Sequence, residues 1–272
     1  MQRIFHTPEG VRDIYSQECS RKQKLQEKLH RVFHQYGFED IETPTFEYFE
    51  VFSKEVGTIP SRELYKFFDR EGNTLVLRPD FTPSVSRACA TYFNPEKEVV
   101  SLCYTGNTFI NNSSFRGRLK ETTQMGVERM GDDSPEADAE ILAMTVECLL
   151  ATGLTEFQVS VGQVDYYKAI FAQTGLSQEE EEELRELISQ KNYFGVEELV
   201  KNKNMDKSLA RVLSQLPQMF GSTEVLEKAK SLTDNPQALK AVARLEEIYE
   251  LLKVYGYEKY VTFDFAMLSK YH

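Results

Sequence analysis

The stretch Cys103–Gly131, CYTGNTFINNSSFRGRLKETTQMGVERMG, predicts two β-strands joined by a polar loop. Turn-forming residues dominate segment 111–117 between the two arms. Side chains alternate along the second arm, so Gln124 and Glu128 point to the same face, about 13 Å apart. Polar groups on a central strand need hydrogen-bond partners or a ligand that supplies them. The alternative is that this face is simply open to solvent.

Composition limits the class of protein. The 272 residues are enough for one large domain or two modest ones with a substantial core. The chain has 32 Lys and Arg and 43 Asp and Glu, and its net charge of −11 disfavours sequence-independent binding of nucleic acid. The chain contains no run of about 18 apolar residues, and its first ten residues contain no apolar core of a signal peptide. We therefore expect a cytoplasmic protein.

The cysteines and histidines do not form a recognisable metal motif. Four scattered cysteines without a CxxC pair are typical of reduced thiols in a cytosolic protein: Cys19, Cys89, Cys103 and Cys148. The four histidines include no HExxH sequence. From the sequence we therefore predict no metal site.

The first third of the chain combines helices with short strands. Apolar residues at helical spacing predict a helix over about Ser16–Tyr36, which Gly37 ends. A short strand follows over Phe38–Thr43, and segment 64–79 predicts a β-hairpin. The next helix is expected over Ser84–Tyr92.

Asp80 and Thr82 come where the returning strand of that hairpin gives way to the helix. Either residue there can cap the helix. Asp80 can equally accept a hydrogen bond from the ammonium group of a substrate. The local sequence leaves both interpretations open.

The second half of the chain is mainly helical. A helix is predicted over Pro135–Thr152 and a strand over Phe157–Gly162, and a strand pattern returns at Lys259–Phe265. Ser177, followed by a run of glutamates, is a predicted N-cap. We thus predict an α+β fold with a domain of residues 1–162 plus 257–272 and a helical insertion at 163–256. The sequence has no P-loop, no GxGxxG and no nucleophile elbow.

Five segments in a fixed order carry a resemblance to a known family. They are GVRD at 10–13, YGFEDIETPTFE at 36–47, LRPDFT at 77–82, TTQMGVERMG at 122–131 and VTFDFAML at 261–268. Together they resemble the class II fold of histidyl-tRNA synthetase, which implies an antiparallel sheet flanked by helices and a dimer formed through the first motif. The chain resembles even more closely the synthetase paralogues that serve as regulatory subunits of ATP phosphoribosyltransferase, in which Asp at position 80 is typical.

Departures from the synthetase pattern concern the ATP side of the site. Ile110 stands where the resemblance implies an arginine that binds the α-phosphate, and Asn112 stands where it implies an acidic residue. Isoleucine has no donor for such a contact, and one lost electrostatic donor costs about 10²–10³ in rate. Ser269 stands where the resemblance implies a second arginine of the active site. Arg116 and Arg118 are candidate anion-binding residues, with solvent-facing loop residues as the alternative.

The same comparison of patterns leads us to expect a C-terminally truncated chain. The third synthetase motif, the tyrosine pair that helps close the histidine pocket and the anticodon-binding module would all follow His272.

The resemblance implies that the histidine side of the pocket is retained in Asp80, Thr82, Gln124 and Glu128. It implies a non-catalytic protein without cofactors, which senses L-histidine and pairs with the short-form catalytic subunit at the first step of histidine biosynthesis. The implied assembly is a homodimer within a hetero-octamer. A catalytic histidyl-tRNA synthetase fragment is the alternative. A module that senses uncharged tRNA would call for a basic surface, which a net charge of −11 disfavours.

Overall fold

The computed structural model describes residues 6–53, 59–112, 117–203 and 205–268. The chain divides between Asp133 and Ser134 into two compact units. Each unit combines helices with β-strands, which confirms the predicted α+β class. No described helix combines the length and the apolar character that crossing a bilayer requires. All four cysteines are free thiols, as predicted.

Within its described residues, the first unit contains three α-helices and two three-stranded sheets. Its helices are α1 (Ser16–Gln35), α2 (Glu50–Ser53) and α3 (Thr82–Tyr92). Its strands are β1 (Glu39–Asp40), β2 (Phe46–Tyr48), β3 (Lys66–Phe68), β4 (Thr74–Leu77), β5 (Val100–Phe109) and β6 (Glu121–Met130). The helix and hairpin predictions for this region are confirmed, while the strand expected over Phe38–Thr43 is reduced to β1.

The β5–β6 hairpin is the longest pairing of strands in the first unit. It runs antiparallel in unbroken register from the pair Val100 and Met130 to the pair Phe109 and Glu121. β1 adds to the free edge of β5 in parallel, and a second sheet has the order β2-β4-β3. The two sheets adjoin where the backbone N–H of Phe109 donates to the carbonyl of Arg78, at 3.0 Å.

An apolar cluster holds α3 against β5. Phe81, which directly precedes α3, and Val85 and Cys89 within α3 pack with Leu102 and Tyr104 of β5. Because burial of this cluster fixes α3 on the hairpin, the residues that precede and begin α3 are held beside β5 and β6.

The second unit contains seven helices and one sheet within its described residues. The helices are α4 (Pro135–Thr152), α5 (Val164–Phe171), α6 (Gln178–Ser189), α7 (Tyr193–Asn202), α8 (Lys207–Gln215), α9 (Thr223–Leu232) and α10 (Pro236–Tyr255). The strands are β7 (Val159–Val161), β8 (Phe220–Gly221) and β9 (Val261–Asp264). Ser177 caps α6 in a reciprocal capping box with Glu180, which confirms the predicted N-cap.

Packing in the second unit groups α4 with the later helices. α10 packs on both α4 and α5, and β9 pairs in parallel with β7. The compact units therefore do not coincide with the sequence-based division into 1–162 plus 257–272 and 163–256. That division stays a prediction about how the fold is organised.

Candidate functional site

The start of α3 and one face of β6 bring the four predicted histidine-binding residues together. The Nε2 atom of Gln124 donates to Oδ1 of Asp80 at 3.3 Å. The hydroxyl of Thr82 donates to Oε1 of Glu128 at 2.6 Å. The alternation of β6 thus places Gln124 and Glu128 on one face, as the sequence pattern predicts.

Asp80 precedes the helix cap and does not act as one. The N-cap of α3 is Phe81, and no side chain caps the first turn. Oδ1 of Asp80 instead accepts the backbone N–H of Phe81, at 2.7 Å. Of the two interpretations that the sequence leaves open, the structure therefore does not support capping.

Tyr104 is a member of this site that the sequence analysis missed. Its hydroxyl donates to Oε1 of Glu128 at 3.5 Å, and its ring stacks on Phe81 with centroids 4.3 Å apart. Gly126 faces Tyr104 across the hairpin, and a Cβ at Gly126 would overlap the tyrosine hydroxyl. The strand register was the available signal, since Tyr104 aligns with Gly126 once the hairpin is paired.

Arg78 packs against Phe81, the residue between Asp80 and Thr82. Its guanidinium lies 4.0 Å from the ring centroid of Phe81 and donates to the carbonyls of Asn107 and Thr43, at 2.8 and 2.9 Å. Burial lowers the pKa of Arg78, although an arginine stays charged in proteins. Since its hydrogen bonds within the described residues go to carbonyl oxygens, Arg78 positions Phe81 rather than pairing with a carboxylate.

The two carboxylates of the site, Asp80 and Glu128, accept no hydrogen bond from a positively charged group among the described residues. Within the described residues, every hydrogen bond to Asp80 and Glu128 comes from a neutral donor. Burial raises the pKa of Glu128 above its usual value, and the nearby Asp80 raises it further, against the hydrogen bond from Thr82. Burial likewise raises the pKa of Tyr104, so its hydroxyl remains a neutral donor. A cationic ligand group would relieve this excess of negative charge.

Acceptor atoms remain available on this face. No described residue donates a hydrogen bond to Oδ2 of Asp80, Oε2 of Glu128 or Oε1 of Gln124. Three acceptor oxygens on one face match a ligand that carries several N–H donors.

The residues predicted for the ATP side are only partly described. The N–H of Ile110 donates to the carbonyl of Lys120 at 2.9 Å, so Ile110 lies just beyond the paired part of β5. Asn112 donates from Nδ2 to the carbonyl of Leu119 at 3.3 Å. Arg118 is exposed. Arg116 and Ser269 lie outside the described residues.

The opposite face of the same hairpin, which we call the cavity side, carries a linear chain of hydrogen bonds from Lys22 to Glu121. Lys22 donates to the hydroxyl of Thr123 at 2.5 Å, and that hydroxyl donates to Oδ1 of Asn107 at 2.8 Å. Nδ2 of Asn107 then donates to Glu121 at 2.7 Å. A cavity of about 400 Å³ lies beside this chain and extends to Arg12.

The amino-acid sequence matches a known family and several known proteins. Residues 10–272 match the family model described as histidyl-tRNA synthetase. The chain is 41% identical over 265 residues to an ATP phosphoribosyltransferase regulatory subunit of Acetivibrio thermocellus, covering 97% of this chain and 63% of the relative. It is 38% identical to the protein of the same name from Thermoanaerobacter pseudethanolicus, covering 98% of this chain and 69% of the relative. The chain thus spans less than two thirds of the length of the Acetivibrio relative.

Solved structures give the same likeness. A Bacillus halodurans structure titled ATP phosphoribosyltransferase regulatory subunit/histidyl-tRNA synthetase matches with a TM-score of 0.88 at 31% identity, over 98% of this chain and 70% of that chain. A histidyl-tRNA synthetase of Nostoc sp. PCC 7120 matches with a TM-score of 0.79 at 20% identity, over 98% of this chain and 62% of that chain. The second likeness concerns the fold alone.

Proposed function

Because this chain belongs to the histidyl-tRNA synthetase family, and its relatives are named as regulatory subunits, we propose that it is a non-catalytic regulatory subunit of ATP phosphoribosyltransferase. In this role it activates the short-form catalytic subunit at the first step of histidine biosynthesis. It also transmits feedback inhibition by L-histidine to that partner.

We call the face of the β5–β6 hairpin that carries Gln124 and Glu128 the α3 side. The proposal that the chain senses histidine rests on unused acceptor oxygens on this side. Asp80, Gln124 and Glu128 each retain an oxygen that accepts no hydrogen bond from a described residue. The α-ammonium of L-histidine places a positive charge and three donors beside Asp80, and its imidazole N–H reaches Gln124 or Glu128. The charge of the ammonium offsets the repulsion that raises the pKa of Glu128.

The non-catalytic part of the proposal concerns the ATP side of the pocket. Ile110 offers no charged donor where the synthetase pattern has an arginine. Retention of the amino-acid side without the phosphate-binding arginines suits a sensor that binds histidine without activating it. The homodimer within a hetero-octamer is likewise part of the proposal.

Feedback requires a coupling free energy between the histidine site and the partner subunit. Such couplings are about 1–3 kcal/mol, or about 5–150-fold in affinity, and they are reciprocal for binding. Histidine should therefore bind with a different affinity to the assembled complex than to this chain alone.

A phosphoribosyltransferase assay tests the proposal. The short catalytic subunit is assayed with ATP and phosphoribosyl pyrophosphate, alone and with this protein, with and without histidine. We expect activation by this protein and inhibition by histidine. The double variant Gln124→Ala/Glu128→Ala should still activate but should lose the inhibition.

Two results would contradict the proposal. No activation by a folded chain that binds the catalytic subunit would remove the regulatory role. Histidine-dependent exchange of pyrophosphate into ATP would favour the alternative, a catalytic synthetase fragment. Binding of labelled tRNA at moderate salt would favour a tRNA sensor instead.

A further inference from the structure

Four metal-ligating side chains from three elements of the first unit converge at a second place. His30 and His34 lie on α1, Asp40 lies on β1 and Cys103 lies on β5. Nε2 of His30 is 2.5 Å from Oδ1 of Asp40, and Nε2 of His34 is 2.9 Å from Oδ2. The Cys103 thiol lies 3.5 Å from Oδ1 of the same carboxylate. All four potential ligand atoms lie within 4.8 Å of one another.

Local geometry explains this convergence. His30 and His34 are four residues apart on α1, so their rings share one face of the helix, with centroids 4.2 Å apart. Gly37 adopts a left-handed φ of 77°, and the chain turns there into β1. β1 pairs in parallel with β5 so that Asp40 is the direct neighbour of Cys103. The cluster thus follows from a helix spacing, a turn and a strand register.

We propose that His30, His34, Asp40 and Cys103 form a binding site for one zinc ion. Two imidazole nitrogens, one carboxylate oxygen and one thiolate are the ligand types that zinc takes in four-coordinate protein sites. A tetrahedral zinc site places neighbouring ligand atoms about 3.3–3.6 Å apart. The present separations of 2.5 to at most 4.8 Å bracket that range, so rotamer adjustments of roughly 1 Å make room for the ion.

Access and burial also suit a bound ion. The side chains of His30, His34 and Asp40 are 39%, 46% and 54% exposed, so an ion reaches them from solvent. Cys103 is buried and forms the floor of the cluster. An ion held by all four would tie α1 to the β1–β5 pair, within the segment that carries the first family motif.

The competing explanation is a metal-free hydrogen-bonded group. In that explanation Asp40 accepts a hydrogen bond from each of the two imidazoles, at 2.5 and 2.9 Å. That explanation accounts for the two histidines and the carboxylate. In that group the buried thiol of Cys103 is only a weak donor to the same oxygen, at 3.5 Å, whereas zinc would use the same sulfur as a strong ligand.

Metal titration of the purified chain tests the proposal without reference to histidine or the catalytic subunit. After chelator treatment, zinc is titrated calorimetrically, and cobalt is then used as a spectroscopic probe of the same site. We expect one ion per chain, a dissociation constant of about 1 μM or tighter, and a zinc-dependent rise in Tm. Cobalt should give the absorption of a tetrahedral site with a thiolate charge-transfer band.

Matched variants assign the ligands. His34→Gln should weaken zinc binding at least about tenfold, whereas His6→Gln, outside the cluster, should leave it unchanged. Cys103→Ser should remove the charge-transfer band, whereas Cys19→Ser should retain it. If Cys103→Ser does not fold, the exposed double variant His30→Gln/His34→Gln decides the question.

Substoichiometric or absent zinc binding would overturn the proposal in favour of the hydrogen-bonded group. So would equal effects of His34→Gln and His6→Gln, or a charge-transfer band that survives in folded Cys103→Ser.

Discussion

The two faces of the β5–β6 hairpin carry similar polar residues but satisfy them differently. On the cavity side, Thr123 and Asn107 pass hydrogen bonds from Lys22 to Glu121 in one chain. On the α3 side, Gln124 and Glu128 bond to Asp80 and Thr82, yet acceptor oxygens remain available. The first arrangement links a cation to a carboxylate through one continuous chain, while the second holds two carboxylates with acceptor oxygens to which no described residue donates.

Charge separates the faces as well. Lys22 supplies a cation to the cavity side and places a positive charge in the same chain as Glu121. The α3 side holds Asp80 and Glu128 with neutral donors only among the described residues. Uncompensated, partly buried carboxylates cost folding free energy, which a cationic ligand recovers. Polar composition alone therefore does not distinguish the two faces, whereas the charge of the hydrogen-bond donors does.

The largest expected difference between the faces is in histidine affinity. Gln124→Ala/Glu128→Ala removes a charged and a neutral acceptor, and we expect at least about a hundredfold loss, or about 2.7 kcal/mol. Calorimetric titration of L-histidine measures it.

The cavity side provides the control for that titration. Thr123→Val interrupts the hydrogen-bond chain and should lower stability by about 1 kcal/mol, with histidine affinity unchanged. If both variants reduced the affinity equally, the contrast between the faces would be lost.

The next effect concerns the tight packing between Gly126 and Tyr104 on the α3 side. Gly126→Ala places a Cβ against the buried Tyr104 ring, and the ring is held by stacking on Phe81. We expect a loss of about 1–3 kcal/mol in the free energy of unfolding, measured by urea denaturation. Since the displaced hydroxyl also leaves Glu128, histidine affinity should fall too. Unchanged stability would show that the Tyr104 ring moves freely.

The sequence was enough to predict the α3 side of the hairpin in outline. Alternation alone places Gln124 and Glu128 on one face, and the strand-to-helix transition positions Asp80 and Thr82. It could not indicate that Arg78 would bond to carbonyls rather than to Asp80, because that depends on how two sheets adjoin. The sequence also predicted the helix over Pro135–Thr152 and the strand that became β9. The packing of α4 against α10 depends on tertiary contacts, which the sequence pattern does not show.

The cluster around Asp40 shows the same limit. The chain contains no contiguous metal-binding motif, so its sequence alone predicts no metal site. The spacing of His30 and His34 was visible, but Cys103 lies 63 residues beyond Asp40 and becomes its neighbour only through the β1–β5 register. Long-range strand pairing is not encoded in local periodicity.

The smallest expected effect is a pH-dependent gain of stability in Glu128→Gln. Burial raises the pKa of Glu128 in the folded state, so the folded chain holds this proton more tightly than the unfolded chain does. The stability that the protonated group provides is full below its unfolded pKa and is lost as pH rises through the raised folded pKa. Glutamine stays neutral and still accepts from Thr82, so the variant escapes that loss.

Thermal unfolding across this pH range measures the difference. Relative to the parent, the variant should gain up to about 1 kcal/mol of stability as pH rises through the raised pKa of Glu128. Above that pH the gain should level off. A constant difference at every pH would mean that Glu128 is not responsible. Saturating L-histidine should reverse the order at neutral pH, because the ligand stabilises the tighter-binding parent more, by RT times the logarithm of the ratio of the two dissociation constants. That reversal requires the same carboxylate to lower the stability of the empty site and to raise the stability of the site with histidine bound.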